Sequence, residues 1–331
     1  MPNLVDSYGR HIDYLRLSVT DCCNYHCLYC RPPGAVHHGS QRQLLDHDEM
    51  LRLVRLFSEL GVRRVRLTGG EPLLRRNLAE LAAGISCLPS ITDLSLSSNG
   101  HLLERLAVPL RAAGVGRVNI SLDSLEPENF SRISGGGELR RVIRGIDAAQ
   151  AAGLSPVKLN MVVMRGINDH EIAAMLEFAL ARELELRFIE TMPVGSAGAG
   201  SMVHYYPAAR ILDRIRRHCG SQLLPLHTHP GPGPARYYRA GNSNLKVGVI
   251  SAVSRHFCKT CNRVRLTARG DLVLCLGQQD RISLQAALQR GCSDAQIRRE
   301  ILAAIARKPQ RHDFLHAAGQ PVTAPMVSLG G

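Results

Sequence analysis

The chain has 331 residues, 45% of them hydrophobic and 21% charged, which is enough apolar surface for one large or two small domains and too much for a disordered chain. Lys and Arg number 41 against 28 Asp and Glu, a net charge of +13 that favours an anionic partner, while 4% aromatics and no Trp count against a stacking platform for single-stranded nucleic acid. No apolar run approaches the roughly 18 residues of a membrane span, and Met1-Pro2-Asn3-Leu4-Val5-Asp6 lacks the basic and apolar regions of a signal peptide, so the expectation is a cytoplasmic protein with a small polyanion as ligand.

A β-rich run at 14–19 leads directly into residues 21–30, where Cys23, Cys27 and Cys30 share one loop. The first helix follows, with Asp46 and Glu49 as a capping box, Met50, Leu53, Val54, Phe57 and Leu60 as an apolar stripe, and Gly61 at its end. Further strand-like runs lie at 62–67, 93–97, 117–122, 157–163 and 184–189, separated by stretches of helical period. Among these, 140–152 turns Val142, Ile143, Ile146 and Ala149 inward and closes at Gly153. Six βα units imply parallel strands, in an open doubly wound sheet or an incomplete curved barrel; periodicity alone does not separate the two.

In either arrangement chemistry gathers beyond the carboxyl ends of the strands. The polar motifs fall there: the cysteine loop, Gly69-Gly70-Glu71-Pro72, Ser98-Asn99-Gly100, Asp123-Ser124 and Glu190-Thr191. Residues 195–201, Gly-Ser-Ala-Gly-Ala-Gly-Ser, read as a mobile loop and 229–234 as a turn-rich connector, after which a second region carries Cys258, Cys261 and Cys275 and helical stretches at 284–290 and 294–307.

Ten cysteines without an export signal point to metal or redox chemistry rather than disulfides. Each triad supplies three soft ligands. Zinc needs a fourth, for which Cys22, His26 or a distant His could serve the first site and His256 the second; four-iron clusters would instead leave one open iron each. Two triads at opposite ends of an αβ chain favour two clusters. Cys87, Cys219 and Cys292 read as small hydrophobes, and Cys22 as a bystander.

The Cys-x3-Cys-x2-Cys loop after the first strand, Tyr29 before its last Cys, and Gly69-Gly70-Glu71-Pro72 after the second strand resemble the radical S-adenosylmethionine (SAM) superfamily. Leu15-Arg16-Leu17-Ser18-Val19-Thr20-Asp21, Arg66-Leu67-Thr68, Asn119-Ile120-Ser121-Leu122-Asp123-Ser124-Leu125, Lys158-Leu159-Asn160, Leu186-Arg187-Phe188-Ile189-Glu190, Asn262-Arg263-Val264-Arg265-Leu266 and the final Gly330-Gly331 extend the likeness to the GTP 3',8-cyclase family of molybdenum cofactor biosynthesis.

The resemblance implies an incomplete (βα)6 barrel at 1–228 with a SAM-binding 4Fe-4S cluster on Cys23, Cys27 and Cys30. It implies a C-terminal region at 229–331 with an auxiliary 4Fe-4S cluster on Cys258, Cys261 and Cys275. Tyr29, Gly70, Ser121 and Met192 carry over as SAM contacts; Arg16, Arg66, Ser97, Lys158, Arg263, Val264 and Arg265 as GTP contacts; Gly330 and Gly331 as a tail needed for the radical step. In such a lyase a 5'-deoxyadenosyl radical takes the 3' hydrogen of GTP, and C3' closes on C8 to give (8S)-3',8-cyclo-7,8-dihydroguanosine 5'-triphosphate. The family also implies a homodimer, an external electron donor and a downstream cyclic pyranopterin monophosphate synthase, with no membrane or nucleic-acid partner.

Arginine forks suit triphosphate oxygens, which gives the positive charge a use. Arg187 and Arg10 fit a solvated charge as well as a substrate contact. Arg31 stands where the family usually has Met or Leu, and Ser97-Ser98 where it often has Thr-Thr. Two other readings are a peptide-modifying radical SAM enzyme with an auxiliary cluster and a zinc-bearing nucleic-acid-binding protein.

Overall fold

A computed structural model describes residues 4–31, 43–220, 223–226, 233–241, 243–312, 314 and 323–330. Its strands are β1 (Tyr14–Ser18), β2 (Arg64–Thr68), β3 (Asp93–Ser98), β4 (Arg117–Ser121), β5 (Val157–Val163), β6 (Glu185–Glu190), β7 (Leu223–Pro225), β8 (Arg236–Ala240), β9 (Lys246–Ile250), β10 (Arg263–Leu266), β11 (Asp271–Val273) and β12 (Arg281–Ser283). The helices are α1 (His47–Glu59), α2 (Leu78–Ser86), α3 (Leu103–Ala112), α4 (Pro127–Ser134), α5 (Leu139–Ala151), α6 (Ile172–Ala181), α7 (Gly195–Ser201), α8 (Ala208–His218), α9 (Leu284–Gln289), α10 (Asp294–Ala306) and α11 (Met326–Leu329).

All twelve strands join one sheet in the order β12-β11-β10-β1-β2-β3-β4-β5-β6-β9-β8-β7. The six strands expected from sequence form its contiguous parallel centre, and β10 and β9 extend the parallel run by pairing with β1 and β6. Both flanks therefore come from the C-terminal third of the chain. Local sequence pattern leads to no expectation of strands there. The outer pairs β10–β11, β11–β12, β7–β8 and β8–β9 are antiparallel.

Period-two alternation divides the sheet into unlike faces. Leu15, Leu17, Val65, Leu67, Leu96, Val118, Ile120, Leu159, Leu186 and Phe188 form one face and belong to the main core with the apolar stripes of the helices. The other face carries Arg16, Arg66, Ser95 and Arg117 in one register row and Ser97, Asn119, Lys158 and Glu185 in another. Only one face needs helices. In a doubly wound sheet both would, so the polar face lines the inside of a partial barrel.

The Asp46–Glu49 capping box forms in α1, whose Met50, Leu53, Val54 and Phe57 are buried, and Gly61 follows the C-cap at φ +109°. One expectation fails at residues 195–201. They form α7 rather than a loop, because their glycines permit close packing: a Cβ on Gly198 would stand 2.5 Å from the Met192 carbonyl oxygen, and one on Gly195 2.9 Å from Pro325 Cα. Cys87 is another. It is exposed beyond the end of α2, whereas Cys219 and Cys292 pack against the core as expected. Residues 229–232 of the expected connector lie outside the described residues. Among the described residues no helix is long and apolar enough to cross a membrane.

Candidate active site

The loop after β1 is held from both sides. His26 N–H donates to the Ser134 carbonyl (2.8 Å) and Leu28 N–H to that of Ile133 (3.0 Å), fixing the loop to α4. Cys30 N–H and Arg31 N–H both donate to the Cys27 carbonyl, a tight turn that brings Cys27 and Cys30 to one side. On the opposite side Gly70 N–H donates to Thr20 O (2.8 Å) and Glu71 N–H to Cys22 O (2.7 Å). A Cβ on Gly69 would lie 2.4 Å from Thr20 O, and one on Gly70 2.1 Å from Cys22 O. Both glycines thus pack directly against the cysteine loop's own backbone.

Glu71 is 1% exposed and accepts from Leu73 N–H, Ser98 Oγ–H and Asn99 N–H, tying the loops after β2 and β3 together; burial nevertheless pushes its pKa up to about 7. Across the mouth, Tyr29 donates its hydroxyl to Asp123 Oδ2 (2.7 Å), and Asp123 Oδ1 accepts Val162 N–H (2.8 Å). Burial raises Asp123 to about 6. Arg269, in the β10–β11 turn, pairs with Asp21 at 2.6 Å and fastens the C-terminal region to the loop.

The cysteines of this loop are free thiols. Burial, then the neighbouring anions, raises Cys27 well above its ordinary value and Cys30 to about 12; burial likewise raises Cys23 to about 11. Such thiols hold their protons until a cation replaces them. Cys22 and His26, the possible fourth ligands for zinc, are exposed.

Inside the barrel, cations outnumber their partners. Arg187 is buried, and its Nε and Nη2 have no hydrogen-bond partner among the described residues; Arg265 Nε, Asn119 Oδ1 and Asn160 Oδ1 are likewise unpartnered. Burial and then the charge of Arg265 hold Arg16 well below the ordinary guanidinium value, while burial brings Arg66 and Arg265 down to about 10. Tyr14 offers its ring to Arg66 at 5.6 Å. Arg117 pairs with Asp93, and Lys158 with Glu185. Unsatisfied buried donors among like charges favour an anion with many acceptor oxygens.

The second triad sits beside β10. Burial raises Cys258 and Cys275; it would raise Cys261 too, but Arg263, Lys308 and Arg265 bring that thiol down to about 7. Lys308 is 2% exposed and donates to the carbonyls of Arg263 and Leu274. His256 is exposed and stacks edge-on against His312. Arg10 resolves as a structural rivet, paired with Asp6 and donating to the carbonyls of Cys258, Pro309 and Gln310.

The tail reaches the first triad. Met326 and Leu329 of α11 pack with Val194, Val273, Leu276, Met192 and Cys30. Gly330 adopts φ +73°, and a Cβ there would stand 2.4 Å from Ser18 Oγ at the end of β1. Gly331 lies outside the described residues.

Of the residues expected at a SAM site, Tyr29 and Gly70 make the interactions given above, Met192 and Cys30 pack against the same small apolar cluster, and Ser121 is exposed at the end of β4. Of those expected to take GTP, Arg16, Arg66, Lys158, Arg263 and Arg265 share the polar face, and Ser97 accepts from Asn119 Nδ2 at 3.4 Å. Val264 differs. Its side chain is in the core, so at this one position β10 offers only main-chain atoms. Glu185 and Lys308 are not among the residues expected from sequence; polar residues alternating with apolar ones in β6 mark the first, and nothing local marks the second.

The radical SAM superfamily profile matches residues 17–179, and the Molybdenum Cofactor Synthesis C profile residues 184–314. The GTP 3',8-cyclase of Hydrogenovibrio crunogenus is 46% identical over 99% of both chains. The chain belongs to the GTP 3',8-cyclase family. Other family members include those of Pelotomaculum thermopropionicum, 44% identical over 98% of this chain and 99% of its own, and of Pseudomonas aeruginosa, 43% identical over the full length of both. Streptococcus suis SuiB bound to S-adenosylmethionine shares the fold at a TM-score of 0.63, with 14% identity, 85% of this chain and 67% of SuiB covered. The partial barrel of the cyclase family is thus the fold of this chain.

Proposed function

We infer that the protein is a GTP 3',8-cyclase that converts GTP to (8S)-3',8-cyclo-7,8-dihydroguanosine 5'-triphosphate, the opening step of molybdenum cofactor biosynthesis. The observation that carries the substrate is the basic barrel interior, where Arg16, Arg66, Arg187 and Arg265 line a polar wall between two cysteine triads. The donor sets fit iron–sulfur clusters. Among the described residues neither triad gathers three sulfurs within 4.8 Å of one another, wider than a single zinc ion with bonds of about 2.3 Å requires.

Cys23, Cys27 and Cys30 would hold one four-iron cluster, and Cys258, Cys261 and Cys275 the other. With SAM bound, the first supplies a 5'-deoxyadenosyl radical. The chain's own part is positioning and exclusion. Arg16, Arg66, Lys158, Arg263 and Arg265 fix the triphosphate, so that the ribose is presented to the mouth of the barrel. Tyr29, held by Asp123, and Met192, with Gly70 and Ser121, shape the SAM side; Gly330 occupies the end of β1, where water and quenching groups must be kept out.

In this reading residues 1–228 carry SAM and 229–331 close over GTP. Reducing cytoplasmic surroundings suit ten free thiols. A homodimer, an external electron donor and a downstream pyranopterin synthase rest on family likeness alone. Anaerobic reconstitution with SAM, dithionite and GTP tests the proposal. GTP-dependent formation of 5'-deoxyadenosine together with the cyclised nucleotide supports it; 5'-deoxyadenosine without nucleotide product refutes the substrate.

A further inference from the structure

Lys158 and Glu185 are Cα partners on β5 and β6, and their side chains form a close ion pair on the polar face of the barrel. Lys158 is 6% exposed, and its ammonium also lies over the Tyr237 ring at 5.5 Å. The charged groups facing it are Glu185 and Arg187 from β6 and Arg117 from β4, with Tyr237 from β8; Lys246 of β9 approaches the other Glu185 oxygen at 3.9 Å. Arg117 already has Asp93 as its partner. Glu185 is thus the carboxylate that neutralises Lys158, in a wall whose remaining cations face the space assigned to a polyanion.

We propose that Glu185 is an exchangeable internal counter-ion, which holds Lys158 in place and charged in the ligand-free protein and competes with the substrate's phosphate for it. This rests on the GTP reading above. Two effects of Glu185 on binding then oppose each other. Its negative charge repels the incoming phosphate, and its attraction keeps Lys158 protonated against burial, which lowers that ammonium to about 8. A bound triphosphate raises the Lys158 pKa further, so binding takes up a proton above the free pKa, and affinity falls as pH rises through about 8.

The test is GTP binding to anaerobically reconstituted protein, without SAM or reductant, from pH 6.5 to 9. Glu185→Gln binds GTP several-fold more tightly than wild type at pH 6.5, and the advantage shrinks as pH rises because its decline begins at lower pH. Glu185→Asp, which keeps the charge, retains the wild-type profile. Lys158→Met loses the decline near pH 8, a readout that does not depend on the Gln variant folding. Identical affinity and pH profile in wild type and Glu185→Gln, or a decline that survives in Lys158→Met, overturns the counter-ion and leaves GTP binding intact. Absence of GTP binding in the wild type overturns both.

Discussion

Arg16 and Arg265 stand side by side as Cα partners on the parallel strands β1 and β10, and the charge of Arg265 is the largest influence, after burial, holding Arg16 below its ordinary basicity. Two like charges at one register destabilise an empty barrel and become useful when an anion lies between them. Arg265→Gln is therefore expected to raise the melting temperature of the ligand-free protein by about 2 °C, while weakening GTP binding on the order of 100-fold. Scanning fluorimetry and equilibrium binding check the two halves. A variant that loses both stability and affinity would make Arg265 a structural residue.

Cys275 belongs to the triad beside β10, remote in sequence from the first loop. Cys275→Ala is expected to lower iron from about eight to about four atoms per chain. It should leave SAM cleavage to 5'-deoxyadenosine possible and abolish the cyclised nucleotide. Undiminished cyclisation would remove the second triad from the reaction.

Gly330 has a left-handed backbone and no room for a side chain beside Ser18. Gly330→Ala should displace the tail from the end of β1 and reduce nucleotide product at least tenfold, with iron content and circular dichroism unchanged. Deleting Gly330 and Gly331 should have the same outcome. Normal turnover in the truncated protein would show that the tail contributes only packing through α11.

Asp123 gives a pH signature. Its pKa in the fold, about 6, exceeds its ordinary 3.8, so the folded state binds the extra proton and stability is lost as pH rises between those values. The contribution is about 3 kcal/mol at most, at 1.36 kcal/mol per unit. Asp123→Asn keeps an acceptor for Val162 N–H and should flatten this part of the denaturation profile between pH 4 and 6. An unchanged slope would assign the dependence to other groups.

The parallel centre of the fold and both cysteine triads were legible because each is written locally, in period-two runs and in short spacings. The flanks were not. β9 and β10 are short, and their pairing with β6 and β1 depends on contacts across long stretches of chain that no window of sequence contains. Residues 195–201 misled because small residues that look like a flexible linker also allow a helix to lie against Met192 and Pro325. The glycines at 69 and 70 were recognisable as a motif, but their packing against the carbonyls of Thr20 and Cys22 came only from the fold. Lys158 was marked by its motif; the carboxylate that holds it was not, since the pair meets only when β5 and β6 align.

The arrangement of the sheet also sets a timetable for biosynthesis. β1, made first, keeps an open hydrogen-bonding edge until β10 emerges from the ribosome, and β6 keeps one until β9 does. Throughout that interval the first cysteine loop adjoins an unsealed strand. A nascent chain that stalls before Lys246 thus presents two sticky edges and an accessible set of thiols, a liability that ends only when the last third of the polypeptide closes the wall.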